Sequence, residues 1–343
     1  MSDVSRAVRI LRSGGLVAFP TETVYGLGGD ATNAAAVQRI FTAKGRPPTN
    51  PLIVHVADES IARRYAADWP AAAAQLTQRF WPGPLALVVP KKDTIVDVAT
   101  ASLPTVGLRC PDHALALELL REFDGPIAAP SANRSTRVSP TTARHVREEL
   151  GDAVDFILDG GPCRVGIEST VLDLSTTPPT VLRPGDITAR QIEAEIGPVM
   201  VFRGVTSSSV PAHSPGQHAR HYAPTAAAYR FDSRQIPQVA DWCRENLDRA
   251  WAVLSIEPLG LDPAAADLLP IVGTSGRGPA HKFILMPNAA PEYARCLYAT
   301  LRSLDQEGID VIWVQMPPDQ PQWAAVRDRL ARATKPLDQA GLK

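Results

Sequence analysis

Short apolar runs alternate with helix-period segments through about the first 200 residues of this chain. They are PLIVHVA at 51–57, PLALVVP at 84–90, TVGLRCP at 105–111, PIAAPSAN at 126–133, DFILDGG at 155–161 and STVLDLS at 169–175. Runs this short, separated by helices expected over 60–65, 71–80, 114–123 and 142–150, predict strands of a largely buried sheet in an α/β or α+β domain. The series starts with GLVAF at 15–19, stopped by Pro20, which cannot donate to a central ladder. Thr21, Glu22 and Thr23 therefore fall at the carboxyl end of a strand, where α/β folds place their chemistry. Gly26, Gly28 and Gly29 are expected to make positive-φ turns or to let the backbone approach a ligand closely. A helix should follow, capped by Asn33, with Val37, Ile40 and Phe41 on its apolar face and Gly45 at its end. Lys44 and Arg46 are then held at a helix C-terminus, near the strand-end turn if the helix packs back on the sheet. Taken alone, Lys44-Gly45-Arg46 reads first as solvated basic residues.

At 343 residues the chain is long enough for two domains with separate cores. Its hydrophobic fraction of 45% and charged fraction of 21% are those of a soluble globular protein, and no apolar run approaches the roughly 20 residues of a membrane span. Charges run through the first helix, MSDVSRAVRILRSGG, with no signal-peptide core, so a cytoplasmic protein is expected. Cys110, Cys163, Cys243 and Cys296 are widely spaced with no CxxC, which suggests neither a zinc ribbon nor a disulfide framework. A net charge of −1 means that any contact with RNA would need a local basic patch.

From Val205 the composition changes to that of a linker, TSSSVPAHSPGQHARHYAPT. It also contains His213, His218, His221 and Tyr222, more chemistry than a spacer needs, although a solvated loop accounts for scattered histidines as well. His218 and His221 have metal-ligand spacing but no carboxylate or cysteine clustered with them. The expected division is a first domain at 1–204, a linker or lid at 205–225 and a second domain at 226–343. The last resumes the strand–helix alternation and is expected to be a small parallel-sheet unit, with GTSGRG at 273–278 as a loop.

Polar or basic residues repeatedly close the apolar runs: His55, Arg109, Ser131 and Asn133, the SPTT of Ser139 to Thr142, Ser169 and Thr170 after GIE, and Arg183. Each alone has an ordinary explanation as a core histidine, a sheet-edge arginine or a helix cap. Brought together, Lys44, Arg46, Arg109 and Arg183 would suit a polyanion, since guanidinium groups bind phosphate and carboxylate bidentately. The sequence has no GxxxxGK[ST], GxSxG or HExxH, so a P-loop NTPase, an α/β-hydrolase and a zincin lose support.

PTETVYGLG, KGRP followed by NPL, the SAN of PSANRS, the SPT opening a helix, and ESTVLDL followed by LRPG together resemble the YrdC/Sua5 family. HSPGQHARHYAP and the C-terminal PEYARCLYATLRSLDQEGID resemble its long, two-domain Sua5 branch, so the likeness covers nearly the whole chain. One departure is that Arg134, Ser135 and Thr136 follow SAN, where the family usually has a glycine after the serine. The resemblance implies a YrdC-like α/β twisted-sheet catalytic domain and a smaller Rossmann-like Sua5 domain. It further implies synthesis of L-threonylcarbamoyladenylate and pyrophosphate from L-threonine, bicarbonate or CO2, and ATP with Mg2+. The product would feed a tRNA-threonylcarbamoyl transferase machinery that modifies adenosine 37. Lys44, Arg46, Ser131 and Asn133 match the family's KxR/SxN tetrad, Lys44 and Arg46 being the catalytic candidates, with Lys44 near the phosphates or the carbamate. Arg46, Asn50, Thr105, Asn133, Ser139, Thr141 and Arg183 are implied for ATP, with Ser214 and Tyr222 contributed by a linker folded over the cavity. Thr23, His55, Arg109, Ser131 and Ser169 are implied for L-threonine, Arg109 pairing its carboxylate. No protein ligand to a metal is implied.

Two other readings stay open. Members of the wider family present a basic concave face that resembles a double-stranded RNA site, which would make this a tRNA- or RNA-binding module without turnover. A related domain serves carbamoyltransferases of hydrogenase maturation, but the chain has no acylphosphatase or zinc-finger segment.

Overall fold

The computed structural model describes residues 2–202, 204, 214–215, 221–259 and 280–340. Most of the linker, with His213 and His218, and the glycine-rich 273–278 lie outside the described residues. The chain forms two compact units, one of residues 1–135 and 139–219, the other of 136–138 and 220–343.

The first unit is built on a mixed sheet. Its strands in chain order are β1 (Val17–Phe19), β2 (Gly26–Asp30), β3 (Ile53–His55), β4 (Leu85–Pro90), β5 (Thr105–Arg109), β6 (Ile127–Ala128), β7 (Phe156–Ile157), β8 (Thr170–Asp173), β9 (Thr180–Arg183) and β10 (Met200–Val201). Across the sheet they run β10-β9-β8-β4-β5-β3-β6-β2-β1-β7. Each apolar run of the sequence supplies one strand, and helices at Glu59–Tyr65, Ala71–Phe80, Ala114–Phe123 and Ala143–Leu150 separate them. The strands are short because proline or a polar turn follows almost at once, so functional side chains cluster at their ends. His55 and Arg109 close the parallel pair β3 and β5 in direct register. Leu85 at the start of β4 pairs with Thr170 at the start of β8.

The helix Ala34–Lys44 begins at Asn33, whose side chain accepts from the N–H groups of Ala35 and Ala36, and ends at Gly45 in the left-handed conformation, φ 58°. Its buried face is Ala36, Val37, Ile40, Phe41 and Lys44. Lys44 thus continues the helical stripe of the core residues and is only 2% exposed.

Gly26, Gly28 and Gly29 do not make the turns expected of them. They form β2, antiparallel to both β1 and β6. None is among the glycines with positive φ. They are required by close packing instead. A Cβ on Gly28 would stand 2.9 Å from both Ile127 Cγ2 and Phe19 Cε1, and one on Gly29 would stand 3.2 Å from Ile40 Cδ1. The sheet face here is covered so tightly that only hydrogen fits.

The second unit holds an all-parallel sheet. Its strands are β11 (Ala227–Phe231), β12 (Trp251–Ser255), β13 (His281–Leu285), β14 (Val311–Gln315) and β15 (Lys335–Pro336), in the order β13-β12-β14-β11-β15. Helices Ile236–Glu245, Ala290–Gln306 and Ala324–Ala333 accompany it, and its core includes Trp251, Val253, Val311, Trp313 and Phe231. The segment 136–138 belongs to this unit: the Val138 carbonyl accepts from Arg302 Nη2, and the Thr136 carbonyl accepts from Ala223 N at 2.9 Å. Thr136 adopts φ +69°. It stands where the resemblance led us to expect glycine, and a β-branched residue there is strained.

Two substitutions test these points by urea unfolding. Gly28→Ala should lower stability by about 1–3 kcal/mol through overpacking. Thr136→Gly should be neutral or stabilising by about 1 kcal/mol, the strain relieved being offset by added freedom of the unfolded chain.

Candidate active site

The strand-end turn after β1 is wholly buried, with Thr21 at 1%, Glu22 at 1% and Thr23 at 0% exposure. Its backbone is pinned from outside: Val165 N donates to the Glu22 carbonyl at 2.8 Å and Gly166 N to that of Thr23 at 3.2 Å. Arg109, reaching over from the end of β5, donates Nη1 to Thr23 Oγ1 at 2.9 Å and Nε to the Gly83 carbonyl at 3.3 Å. Its Nη2 approaches Glu22 Oε2 to 2.7 Å, with both side chains out of water. The two form a buried ion pair.

His55 sits beside Arg109 with its ring edge-on to Phe19, centroids 5.7 Å apart. Burial, reinforced by the Arg109 charge, pushes its pKa down to about 3. The imidazole is therefore neutral at physiological pH, which suits an orienting role better than a cationic one.

From Gly83 the network continues across the sheet. Thr170 N donates to the Pro84 carbonyl at 2.9 Å. The neighbouring Ser169 is held by Arg183, whose Nε donates to the Ser169 carbonyl at 3.0 Å and whose Nη2 donates to Ser169 Oγ at 3.2 Å. Arg183 Nη1 also reaches the carbonyl of Pro215, next to the buried Ser214.

The KxR/SxN residues form a second group. Lys44 Nζ donates to the carbonyls of Ser131 and Asn133, so the lysine spans the SAN loop from beneath. Burial, then the neighbouring Arg46, hold the ammonium well below the ordinary lysine range. Arg46 donates Nε to the Asn50 carbonyl at 3.1 Å and Nη2 to that of Pro51 at 2.9 Å. These bonds shape the TNP turn into β3, where Asn50 Oδ1 is buried without a donor. Beyond the turn, Pro51, Leu52, Thr100, Leu103, Thr105 and Pro215 border a small recess of about 10 Å3, room for a single water. Ser139 donates to Glu168 Oε1 at 2.5 Å, and Thr141 lies against His145 Nδ1 at 3.4 Å.

The first unit therefore carries Thr23, Lys44, Arg46, Asn50, His55, Thr105, Arg109, Ser131, Asn133, Ser139, Thr141, Ser169, Arg183 and Ser214. Tyr222 belongs to the second unit, where its ring stacks on Tyr298 with centroids 5.9 Å apart and lies 5.1 Å from the Arg329 guanidinium. Sequence reasoning gave two acids no ligand role: Glu22, placed only within the strand-end turn, and Glu168. The available signal was a carboxylate next to hydroxyls, in TET and in EST. Cys110 and Cys163 lie close by, but burial pushes both thiols up to about 12, so neither is a thiolate nucleophile. Among the described residues no group of three or more His, Cys, Asp or Glu side chains could hold a metal ion.

Buried arginines and hydroxyls converging at strand ends define an α/β protein built for a polar, anionic ligand. A family model covering Sua5, YciO and YrdC, described as "Telomere recombination", matches residues 9–185, and one described as "Threonylcarbamoyl-AMP synthase, C-terminal domain" matches 187–334. Two relatives named threonylcarbamoyl-AMP synthase are similar over almost their full length. The Pyrococcus abyssi protein is 40% identical over 96% of this chain and 93% of its own, and that of Bacillus subtilis is 41% identical over 96% and 92%. The crystal structure of P. abyssi Sua5 complexed with L-threonine superposes with a TM-score of 0.84 at 37% identity, covering 98% of this chain and 97% of that one. The chain belongs to the Sua5/YrdC family, in its two-domain Sua5 form.

Because the folded His55 pKa lies below its unfolded value near 6.5, the unfolded chain binds the extra proton. Stability should therefore fall as pH drops from about 6.5 towards 3, with a slope approaching about 1.4 kcal/mol per pH unit from this residue. His55→Asn should flatten that acid limb in a series of thermal melts. Arg109→Met should lower stability by about 3–5 kcal/mol by leaving Glu22 buried without its partner, as read from denaturant midpoints.

Proposed function

We propose that this chain is an L-threonylcarbamoyladenylate synthase, converting L-threonine, bicarbonate and ATP to threonylcarbamoyl-AMP, pyrophosphate and water. The observation that carries the reading is the buried Arg109–Thr23–Glu22 group at a strand end, in a chain that matches a threonine-bound Sua5 structure over nearly its whole length. Arg109 pairs the threonine carboxylate through N–H groups that its protein partners leave unspent. Neutral His55, Ser131 and Ser169 orient the rest of the amino acid. The amine takes up carbon from bicarbonate or CO2 to give a carbamate, whose oxygen attacks the α-phosphate in line as pyrophosphate leaves.

Several features support the nucleotide half of this reading. Arg46 and Asn50, on the turn into β3, and Thr105, at the start of β5, are assigned to the nucleotide. Arg183 already spans Ser169 and Pro215, so it can stabilise the α-phosphate at the junction of the two substrates. Lys44, with Arg46, Ser131 and Asn133, lines the phosphate or carbamate side, and Ser139, Thr141 and Ser214 complete the nucleotide contacts. Tyr222 is assigned with them only through its place in the linker motif. Mg2+ would be carried on the phosphates of ATP and would offset charge on the departing pyrophosphate. Much of the acceleration is positioning, because three substrates must be gathered.

We assign the product to the machinery that threonylcarbamoylates tRNA, in the cytoplasm. No helix of the described residues is long and apolar enough to cross a membrane.

Pyrophosphate release measured with each component omitted in turn should require threonine, bicarbonate and Mg·ATP together, with the adenylate product identified by mass. Lys44→Ala and Arg109→Ala should each reduce turnover by about 100-fold or more, the scale expected when a charge-stabilising or positioning group is lost. Release indifferent to threonine, from a folded protein that still binds tRNA, would replace this reading with an RNA-binding one.

A further inference from the structure

We propose that Glu22 receives the α-ammonium group of the amino acid substrate, so that the strand-end turn and Arg109 together recognise a zwitterion. The inference rests on the threonine reading above and goes beyond the residues assigned there.

It follows from where the protons must lie. Arginine can only donate, so Thr23 Oγ1 is the acceptor in its 2.9 Å bond with Arg109. Thr23 Oγ1 also shares a hydrogen bond with Thr21 Oγ1, 2.8 Å away. Thr21 in turn donates to the Val24 carbonyl at 2.7 Å while accepting from the N–H groups of Thr23 and Val24. Thr23 Oγ1 already accepts from Arg109, and its second lone pair can take a donor such as an ammonium.

Glu22 presents the same polarity. Its side chain has 0% exposure; Oε2 is taken up in the ion pair with Arg109, whereas Oε1 has no hydrogen-bond partner. A buried carboxylate oxygen without a donor is costly unless a ligand supplies one. Its position is not adjustable, because Val165 and Gly166 hold the backbone on either side. Arg109, for its part, has spent Nε on Gly83 and one Nη1 proton on Thr23, leaving N–H groups on Nη1 and Nη2. One small region thus offers unspent donors on a fixed cation beside unspent acceptors on a fixed anion. The α-carboxylate and α-ammonium of an amino acid, joined through one carbon, match that pairing. A 2-hydroxy acid carries the carboxylate but not the cation and satisfies half of it.

The test is calorimetric titration of the full-length protein with L-threonine and with its hydroxy-acid analogue, in which a hydroxyl replaces the amine. The unmodified protein should bind threonine at least about tenfold more tightly than the analogue. Glu22→Gln should weaken threonine by about tenfold or more and leave the analogue nearly unchanged. Equal loss of both ligands would reduce Glu22 to a support for Arg109 and overturn the proposal. Equal binding of both ligands by the unmodified protein would overturn it without any variant, so it stays decidable if Glu22→Gln does not fold. No binding of threonine at all would instead bring down the threonine reading on which the proposal rests.

Discussion

A guanidinium withdrawn from water needs acceptors on several sides, and the site is arranged around that requirement of Arg109. The Gly83 carbonyl, the Thr23 hydroxyl and the Glu22 carboxylate come from two different loops. Meeting all three at once fixes the turn after β1 against the turn before β4. The arrangement is costly in desolvation, and a hydrophobic replacement would pack more cheaply. Its place at the end of a strand fits the binding role proposed for it.

The same logic recurs at the neighbouring strands with different emphasis. Arg183 ties Ser169 to Pro215 in the middle of the linker, and through Ser169 the carboxyl end of β9 and the amino end of β8 are joined by one side chain. Lys44 is a helix-face residue whose ammonium is taken up by the carbonyls of the SAN loop. A lysine held this way positions the loop as much as it offers charge. Arg46, by contrast, spends its donors on the turn it belongs to, shaping the border of the recess beside β5. The four basic residues therefore act from fixed positions, and little reorganisation is needed when an anion arrives.

Burial sets the protonation states that the site can use. His55 is held neutral by its apolar surroundings and by Arg109, which removes it from the set of cations and leaves an orienting ring. Cys110 and Cys163 are kept as thiols by the same loss of solvent. Charge in this region is thus concentrated on the guanidinium groups, which remain ionised whatever their burial, and on the carboxylates that face them.

The sequence by itself determined most of the strands and helices, because those depend on local periodicity and on where proline and polar turns interrupt apolar runs. The strand after Gly15, the helix from Asn33 to Gly45 and the polar closures at His55, Arg109 and Arg183 were all legible in this way. Strand order was not, since it depends on pairings between residues far apart in the chain. The glycines of GLGGD misled for a related reason. Their freedom in φ is a local property, whereas the need for a missing Cβ at Gly28 arises from Phe19 and Ile127 across two other strands. Glu22 illustrates the limit most clearly: its neighbours in sequence suggested a polar turn. Only tertiary structure, by bringing Arg109 to 2.7 Å and closing both side chains from water, decided that its carboxylate is a buried charge with an oxygen still to be satisfied.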